Sequence, residues 1–298
     1  MLPAFLTALF FSLSVVCANR SIRAVGGTRA NVGRLLFALV ALGLYAHIWG
    51  NGMGGAGRDW LLLSGVIGMG LGDIALFGAL PLLGSRLTVL ITQCLAAPLG
   101  AVGEWWWLGT ALTGPQILWG AVILAGVALA LAPSKSHPPR VAIRPLGFLF
   151  ALGAAAGQGF GALVSRKANT VAHLAGESID GITAAYQRIA GGLAIALAYF
   201  AIKALLEKSR GVPPTPRPPW RAYLWIPANA GFGAVIGVSC YQWALFTAPS
   251  GIVLPIVACT PLVIIPFSYW LEGERPTRRS LLGGAIAVIG AVSLTLVR

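Results

Sequence analysis

The sequence predicts an all-α integral membrane protein with ten transmembrane helices, arranged as two inverted five-helix repeats. Hydrophobic residues make up 57% of the 298 residues and charged residues only 10%, and the mean hydropathy is +0.82. Ten apolar runs of roughly 17 to 25 residues follow one another, and each can cross ~30 Å of hydrocarbon. The two halves also share motifs in the same order. Together these observations come close to excluding a soluble enzyme.

The ten runs are bounded by proline, glycine and charged residues. They cover residues 2–18, 33–49, 61–83, 87–108, 115–132, 146–164, 186–205, 222–246, 251–271 and 280–297. The first run has no preceding Lys or Arg, so we expect a permanent first helix and not a cleaved signal peptide. The connections are too short to form a separate soluble domain.

The proline-containing stretch over residues 133–145 divides the runs into two groups of five. We therefore predict a first repeat over residues 1–132, a linker over 133–145 and a second repeat over 146–298. Because each repeat has an odd number of spans, the second enters the membrane from the opposite side. This gives a pseudo-two-fold axis in the membrane plane, with a binding site expected at the midplane between the halves.

The repeat prediction depends on motifs that recur about 164 residues apart. Gly68-x-x-x-Gly72 in the third run corresponds to Gly233-x-x-x-Gly237 in the eighth. Four further pairs follow in the same order at offsets of 163 to 165 residues: Gly78-Ala79-Leu80 with Trp243-Ala244-Leu245, Pro98 with Pro261, Gly120 with Gly284, and Gly126 with Gly290. An arginine also lies near the start of runs 2 and 7, where Arg34 and Arg188 are 154 residues apart. Small residues at this spacing allow close packing of helices in lipid, and a shared order of motifs indicates an internal repeat.

The charges point to lipid and not to nucleic acid as the partner of the basic residues. The chain has 21 Lys and Arg against 8 Asp and Glu, a net charge of +13. Most bases lie in short loops, where they fix topology and contact anionic headgroups. Alternating the loops places sixteen bases on one face and five on the other. The positive-inside rule then puts both termini outside the cell.

Several motifs match the pattern of a known family. They are Arg34 and Arg188 early in runs 2 and 7, Arg58-Asp59-Trp60, Pro98, Pro261, and the turn over residues 271–277 followed by Gly284 and Gly290. With them the whole chain resembles the EamA-like branch of the drug/metabolite transporter superfamily. The resemblance implies secondary transport of small metabolites, often efflux, without a cofactor and with cytoplasmic termini. Its acidic turn is not repeated around Glu104 in the first half.

Asp73 is the only acid near the middle of an apolar run. A charge at the centre of a bilayer costs at least ~2.5–3.5 kcal/mol, so such residues usually serve a function. Asp73 is therefore a candidate for binding and releasing a proton, or for holding a substrate amine. The alternative is a structural Asp that an Arg or neighbouring hydroxyl groups neutralise.

Further polar residues within the runs are candidates for a substrate site. Arg34 and Arg188 either hold a substrate carboxylate or extend to headgroups and pack the helix end. The remaining candidates either line a cavity or form hydrogen bonds between helices. They are Gln93, Gln158, Asn229, Tyr241, Gln242 and Thr260.

These observations predict a secondary active transporter, an exporter or permease, of small polar metabolites such as amino-acid-like compounds. It would work by alternating access in the bacterial inner membrane, with a proton as the candidate coupling ion. The expected partners are a small-molecule substrate and the lipid bilayer. We expect no cofactor, metal or enzymatic activity, because no nucleotide-binding motif, metal-ligand spacing or catalytic set is recognisable. A lipid-linked-sugar flippase of the same architecture is the main alternative, followed by a membrane-embedded enzyme.

Overall fold

A computed structural model describes residues 1–132, 143–211, 219–265 and 277–297, with the side chains of residues 86 and 222 left out. Ten apolar helices dominate this part of the chain, and no strand occurs in it. They are α1 (Leu2–Val25), α2 (Gly27–Ile48), α3 (Arg58–Leu83), α4 (Ser85–Leu108), α5 (Gly114–Leu131), α6 (Pro145–Leu174), α7 (Gly181–Ser209), α8 (Trp225–Thr247), α9 (Ser250–Ile265) and α10 (Arg278–Leu296).

Nine of these described helices are long and apolar enough to cross a membrane, and α9 is shorter. The protein is therefore an all-α, multi-pass integral membrane protein, as the sequence predicts. Three predictions fall partly or wholly outside the described residues. They concern the linker over residues 133–145, the turn over 271–277 and the end of the run 251–271.

Several helices extend beyond the predicted apolar runs. The first run was predicted to end at residue 18, but α1 continues to Val25. Backbone hydrogen bonding does not require an apolar side chain, so a helix can continue into the polar headgroup region. Single glycines with positive φ then separate consecutive helices: Gly26 (φ 85) between α1 and α2, and Gly84 (φ 77) between α3 and α4. Non-glycine residues rarely adopt this conformation.

The helices pack in pairs that relate the two halves. α1 packs on α8 and α6 on α3, while α2 packs on α7 and α5 on α10. If each helix of one half is exchanged for the corresponding helix of the other half, five positions away in the chain, the same four pairs result. Glycines allow close approach at these contacts: a Cβ on Gly126 would lie 2.6 Å from the backbone oxygen of Gly283, where α5 meets α10. The predicted repeat would produce this symmetry of helix contacts.

Both Gly-x-x-x-Gly motifs lie in π-helical segments. Val66–Gly72 is π-helical within α3, and Ala230–Gly237 is π-helical within α8. π-Helical turns are rare and occur mostly at functional sites. Their presence at matching positions supports the predicted repeat. Asp73 directly follows the first segment, and Val238 directly follows the second.

The two prolines predicted to lie within transmembrane runs have different surroundings. Pro98 lies inside the uninterrupted helix α4. Pro261 follows a break in α9 at residues 258–259, where the helix that began at Ser250 ends and a further short helical segment begins. Proline removes one backbone hydrogen bond from a helix, which accounts for an interruption near Pro261.

Candidate substrate cavity

A cavity of about 730 Å³ lies between the two halves, a size typical of small-molecule sites. Most of its wall comes from the C-terminal parts of α1, α3, α5 and α9 and from the N-terminal parts of α2, α4, α6, α8 and α10, and Arg188 from the N-terminal part of α7 lies at its deep end. All of these helix ends except that of α7 belong to one face of the bundle, which we call the basic face because twelve of the sixteen Lys and Arg residues in the described part of the chain belong to it. The cavity therefore opens on the basic face. The opposite face, with both chain termini, is called the closed face.

Most of the polar residues singled out from the sequence line this cavity. They are Arg34, Asp73, Gln93, Gln158, Arg188, Asn229, Tyr241 and Thr260. Gln242 is the exception, because it is fully buried behind the wall and its Nε2 donates to Oγ of Ser165 at 3.2 Å. The polar positions of seven different helices thus converge on one space.

Asp73 forms an ion pair with Arg34 across the cavity wall. Nη2 of Arg34 donates to Oδ2 of Asp73 at 2.8 Å, and Nε of Arg34 donates to Oδ1 of Asn31 at 2.8 Å. The two charged side chains are 22% and 21% exposed, so both face the open space. This is the alternative in which an Arg neutralises Asp73, and the pair is nevertheless accessible from the cavity.

Arg188 occupies the deep end of the cavity and does not extend to the membrane surface. It is only 5% exposed. Nη1 donates to Oγ of Ser165 at 3.3 Å, and the central guanidinium carbon lies 5.2 Å from the ring centroid of Tyr241. Nε of Arg188 and the hydroxyl of Tyr241 have no hydrogen-bond partner among the described residues.

The neutral polar residues both line the cavity and join helices. Nε2 of Gln158 donates to Oε1 of Gln93 at 3.0 Å, which links α6 to α4. Oδ1 of Asn229 accepts from Oγ of Ser14 at 2.6 Å, which links α8 to α1. These residues therefore both line the cavity and form hydrogen bonds between helices, which were the two alternatives left open by the sequence. Thr260 makes a local bond, with Oγ1 donating to the carbonyl of Val257 at 2.6 Å.

A polar cluster behind Arg188 holds the closed end of the site together. Its centre is Ser165 of α6, whose Oγ lies 2.8 Å from Oγ of Ser64 in α3 and also contacts Gln242 and Arg188. Ser64 additionally donates to the carbonyl of Gly161 at 2.6 Å. The cluster joins α3, α6, α7 and α8, and the sequence analysis did not identify it because serines are common in membrane helices.

A second ion pair seals the closed face. Nε of Arg166 lies 2.8 Å from Oε1 of Glu104, which is 1% exposed. Oε2 of Glu104 accepts from the backbone N–H and from Oγ of Ser250, at 2.6 and 2.5 Å. Nη1 of Arg166 donates to the carbonyl of Leu245 at 2.7 Å. The pair ties α4 and α6 to the junction between α8 and α9.

This second pair was not predicted from the sequence, in which Glu104 stands out only because the acidic turn near residue 274 is not repeated around it. The available signal was an acid near the end of the apolar run 87–108 together with a base just after the run 146–164. Sequence alone does not show that these two positions meet, since they belong to different predicted repeats.

Comparison with known proteins agrees with this architecture. The EamA-like transporter family matches residues 145–296, about half of the chain. A solved crystal structure aligns over 99% of this chain and 96% of that chain, with a TM-score of 0.73 and 19% identity. At that identity the likeness concerns the fold alone. No curated protein matches the sequence.

Proposed function

Since the chain belongs to the EamA-like transporter family, we propose that it is a secondary transporter of a small polar metabolite, such as an amino-acid-like compound. The observation that carries this proposal is the polar cavity between the two halves, open on the basic face and sealed at the closed face. A site between two related bundles is the arrangement on which alternating access operates.

Alternating access assigns different tasks to the two ends of the bundle. To expose the site at the closed face, the bonds that Glu104 makes with Arg166 and Ser250 must break. The helix ends around the cavity mouth must meet at the same time. Rocking of one half against the other, with a site held near the axis, accomplishes both changes in transporters built from repeats.

Proton coupling is assigned to Asp73. Of the described residues that line the cavity, Asp73 is the one acid, and its partner Arg34 shares its access to water. Protonation of the carboxyl would remove the ion pair and release the Arg34 side chain, which changes the contacts between α2 and α3. A proton bound on one side and released on the other would then drive substrate movement.

The orientation follows from the charge distribution. Because the basic face carries most of the Lys and Arg, the positive-inside rule places the cavity mouth in the cytoplasm and both termini outside. The family resemblance implies the opposite. A C-terminal alkaline phosphatase fusion should be active and a C-terminal green fluorescent protein fusion dark. The reverse pattern would overturn this orientation.

The proposed function is tested by a metabolite uptake and export screen in cells with and without the protein. We expect a small polar compound whose transport stops when the proton gradient is collapsed by an uncoupler. Transport that continues without the gradient but stops on ATP depletion would contradict a proton-coupled secondary transporter. Movement confined to lipid-linked sugars would instead identify a flippase.

A further inference from the structure

Among the described residues that line the cavity, Arg188 is a buried cation with no carboxylate bonded to it. Arg188 forms no ion pair with any described residue, and the polar atoms that face it are neutral. Its Nε has no hydrogen-bond partner there. Burying an ionised group without a partner is costly unless another charge compensates it. A ligand that enters the cavity is the obvious source of that charge.

The acidic residues in the described part of the chain have partners other than Arg188. Each of the six described acids has another partner: Asp59 with Arg58, Asp73 with Arg34, Glu104 with Arg166, Glu177 with the backbone of Ala56, Asp180 with the start of α7, and Glu207 with Lys203. Asp73 acts on Arg188 only through longer-range attraction. Glu272 and Glu274 lie outside the described residues.

The charges that line the cavity do not cancel. Within the described part of the chain they are Arg34, Asp73 and Arg188, two positive groups and one negative. Since Arg34 and Asp73 pair with each other, one positive charge is left at the deep end. A ligand with a single negative charge would neutralise it.

The donors at the deep end suit a carboxylate. Nε of Arg188 has no hydrogen-bond partner among the described residues, and Tyr241, whose ring centroid lies 5.2 Å from the guanidinium carbon, lines the same cavity. A guanidinium is planar and binds carboxylates through directed, charge-assisted hydrogen bonds. We propose that Arg188, with Tyr241, binds the carboxylate of a monoanionic substrate. This inference rests on the proposed function, because it assigns a substrate class to the same cavity.

Two glycines leave room for the guanidinium group of Arg188. A Cβ on Gly68 would lie 2.7 Å from Nη2 of Arg188, and a Cβ on Gly161 would lie 3.3 Å from it. Gly68 belongs to the π-helical segment of α3, so this unusual backbone directly borders the guanidinium. Small residues on two helices therefore leave a fitted space for the charged group, which is pre-organised before the ligand arrives.

Benzoate and benzamide provide a matched pair of probes. They have nearly the same shape and differ in charge, and the apolar part of the wall, with Met69 and Phe77, accommodates a ring. Binding is measured on the full chain in lipid nanodiscs by calorimetry, with the thermal unfolding midpoint as a second readout. We expect benzoate to bind at least about tenfold more tightly than benzamide, as charge-assisted bonds require.

Three variants assign the preference to Arg188. Arg188→Gln should abolish the preference for benzoate. Arg58→Gln changes an exposed arginine outside the cavity in the same way, and should retain wild-type binding. A further variant, Val238→Asp, tests the site even if Arg188→Gln fails to fold. It keeps the guanidinium of Arg188 and introduces a carboxylate about one helical turn before Tyr241. This carboxylate should neutralise Arg188, so the variant should also lose benzoate binding.

The inference is overturned if benzoate and benzamide bind the wild-type protein equally, if benzoate does not bind, or if the preference survives in Arg188→Gln. These outcomes are separate from failure of the proposed function. A transporter that moves only neutral or cationic compounds would retain the function and refute the carboxylate site. Benzoate binding that depends on Arg188, without transport driven by a gradient, would support the carboxylate site and refute the proposed function.

Discussion

Arg34 and Arg188 occupy matching places in the two halves but have different surroundings. Each is the eighth residue of its helix, α2 or α7. Arg34 lies toward the mouth of the cavity and pairs with Asp73 at 2.8 Å. Arg188 lies at the deep end, is 5% exposed and has no carboxylate partner among the described residues. One arginine is neutralised by the protein, and the other is available to a ligand.

The two halves also differ in the residue that directly follows each π-helical segment. Asp73 follows the segment in α3, whereas Val238 follows the segment in α8. The backbones are alike, yet only the first half supplies a carboxylate to its arginine. Under the proposals made above, two similar halves divide the work: the ion pair of the first half would serve proton coupling, and the unpaired cation of the second half would bind the substrate.

The largest effect is expected from Asp73→Asn, which keeps the size of the side chain and removes its titration. Accumulation driven by a proton gradient should fall to the background of empty liposomes, while exchange of substrate across the membrane continues. Glu207→Gln, at an exposed acid, is the control and should accumulate substrate normally. Accumulation by Asp73→Asn at the wild-type rate would show that Asp73 is structural. Loss of exchange as well would show that Asp73 contacts the substrate.

A change at Gly68 sharpens the comparison of the two arginines. Gly68→Ala places a methyl group against the guanidinium of Arg188 and should weaken benzoate binding about tenfold, equivalent to ~1.4 kcal/mol. Gly231→Ala, in the π-helical segment of α8, is the matched control because a Cβ there meets nothing within 4 Å. Equal benzoate affinity in the two variants, measured by calorimetry, would contradict the assigned contact.

A smaller effect is expected at the closed face, where the substitution should change the free energy of unfolding. Glu104→Gln removes the charge that pairs with Arg166 and weakens two bonds from Ser250, so it should lower the free energy of unfolding by about 1–3 kcal/mol. Asp59→Asn removes an ion pair that is 45% and 77% exposed, and should change it by less than about 1 kcal/mol. Thermal unfolding in nanodiscs measures both. Similar midpoints for the two variants would show that the Glu104 cluster does not hold the closed face together.

The fold could be predicted from the sequence because a helix that crosses the lipid bilayer must have a minimum length and a mostly apolar surface. Of the charged, glutamine, tyrosine and threonine residues proposed from the sequence as site residues, seven line the cavity and only Gln242 does not, since a polar side chain in an apolar run has few other places to be stable. The exception, Gln242, illustrates the limit: polarity predicts that a residue has a partner, but not whether the partner is a ligand or Ser165.

The sequence predicted which residues line the cavity better than it predicted which side chains pair with each other. Pairing of Asp73 with Arg34 was one of two alternatives, and pairing of Glu104 with Arg166 was not predicted. Both depend on which helices pack together, and hydropathy contains no such information. The π-helical segments were also not foreseen, because the glycines that mark them serve equally well in ordinary close packing.

The central claim is that Asp73 neutralises Arg34 while a ligand neutralises Arg188. Its most direct test is the benzoate dissociation constant of a double variant, Arg34→Gln with Asp73→Asn, beside that of Arg188→Gln. The double variant removes a neutral pair, so benzoate should bind within about threefold of wild type even though coupling is lost, whereas Arg188→Gln should bind at least about tenfold more weakly. Equal weakening in both, or wild-type affinity in Arg188→Gln, would contradict the account.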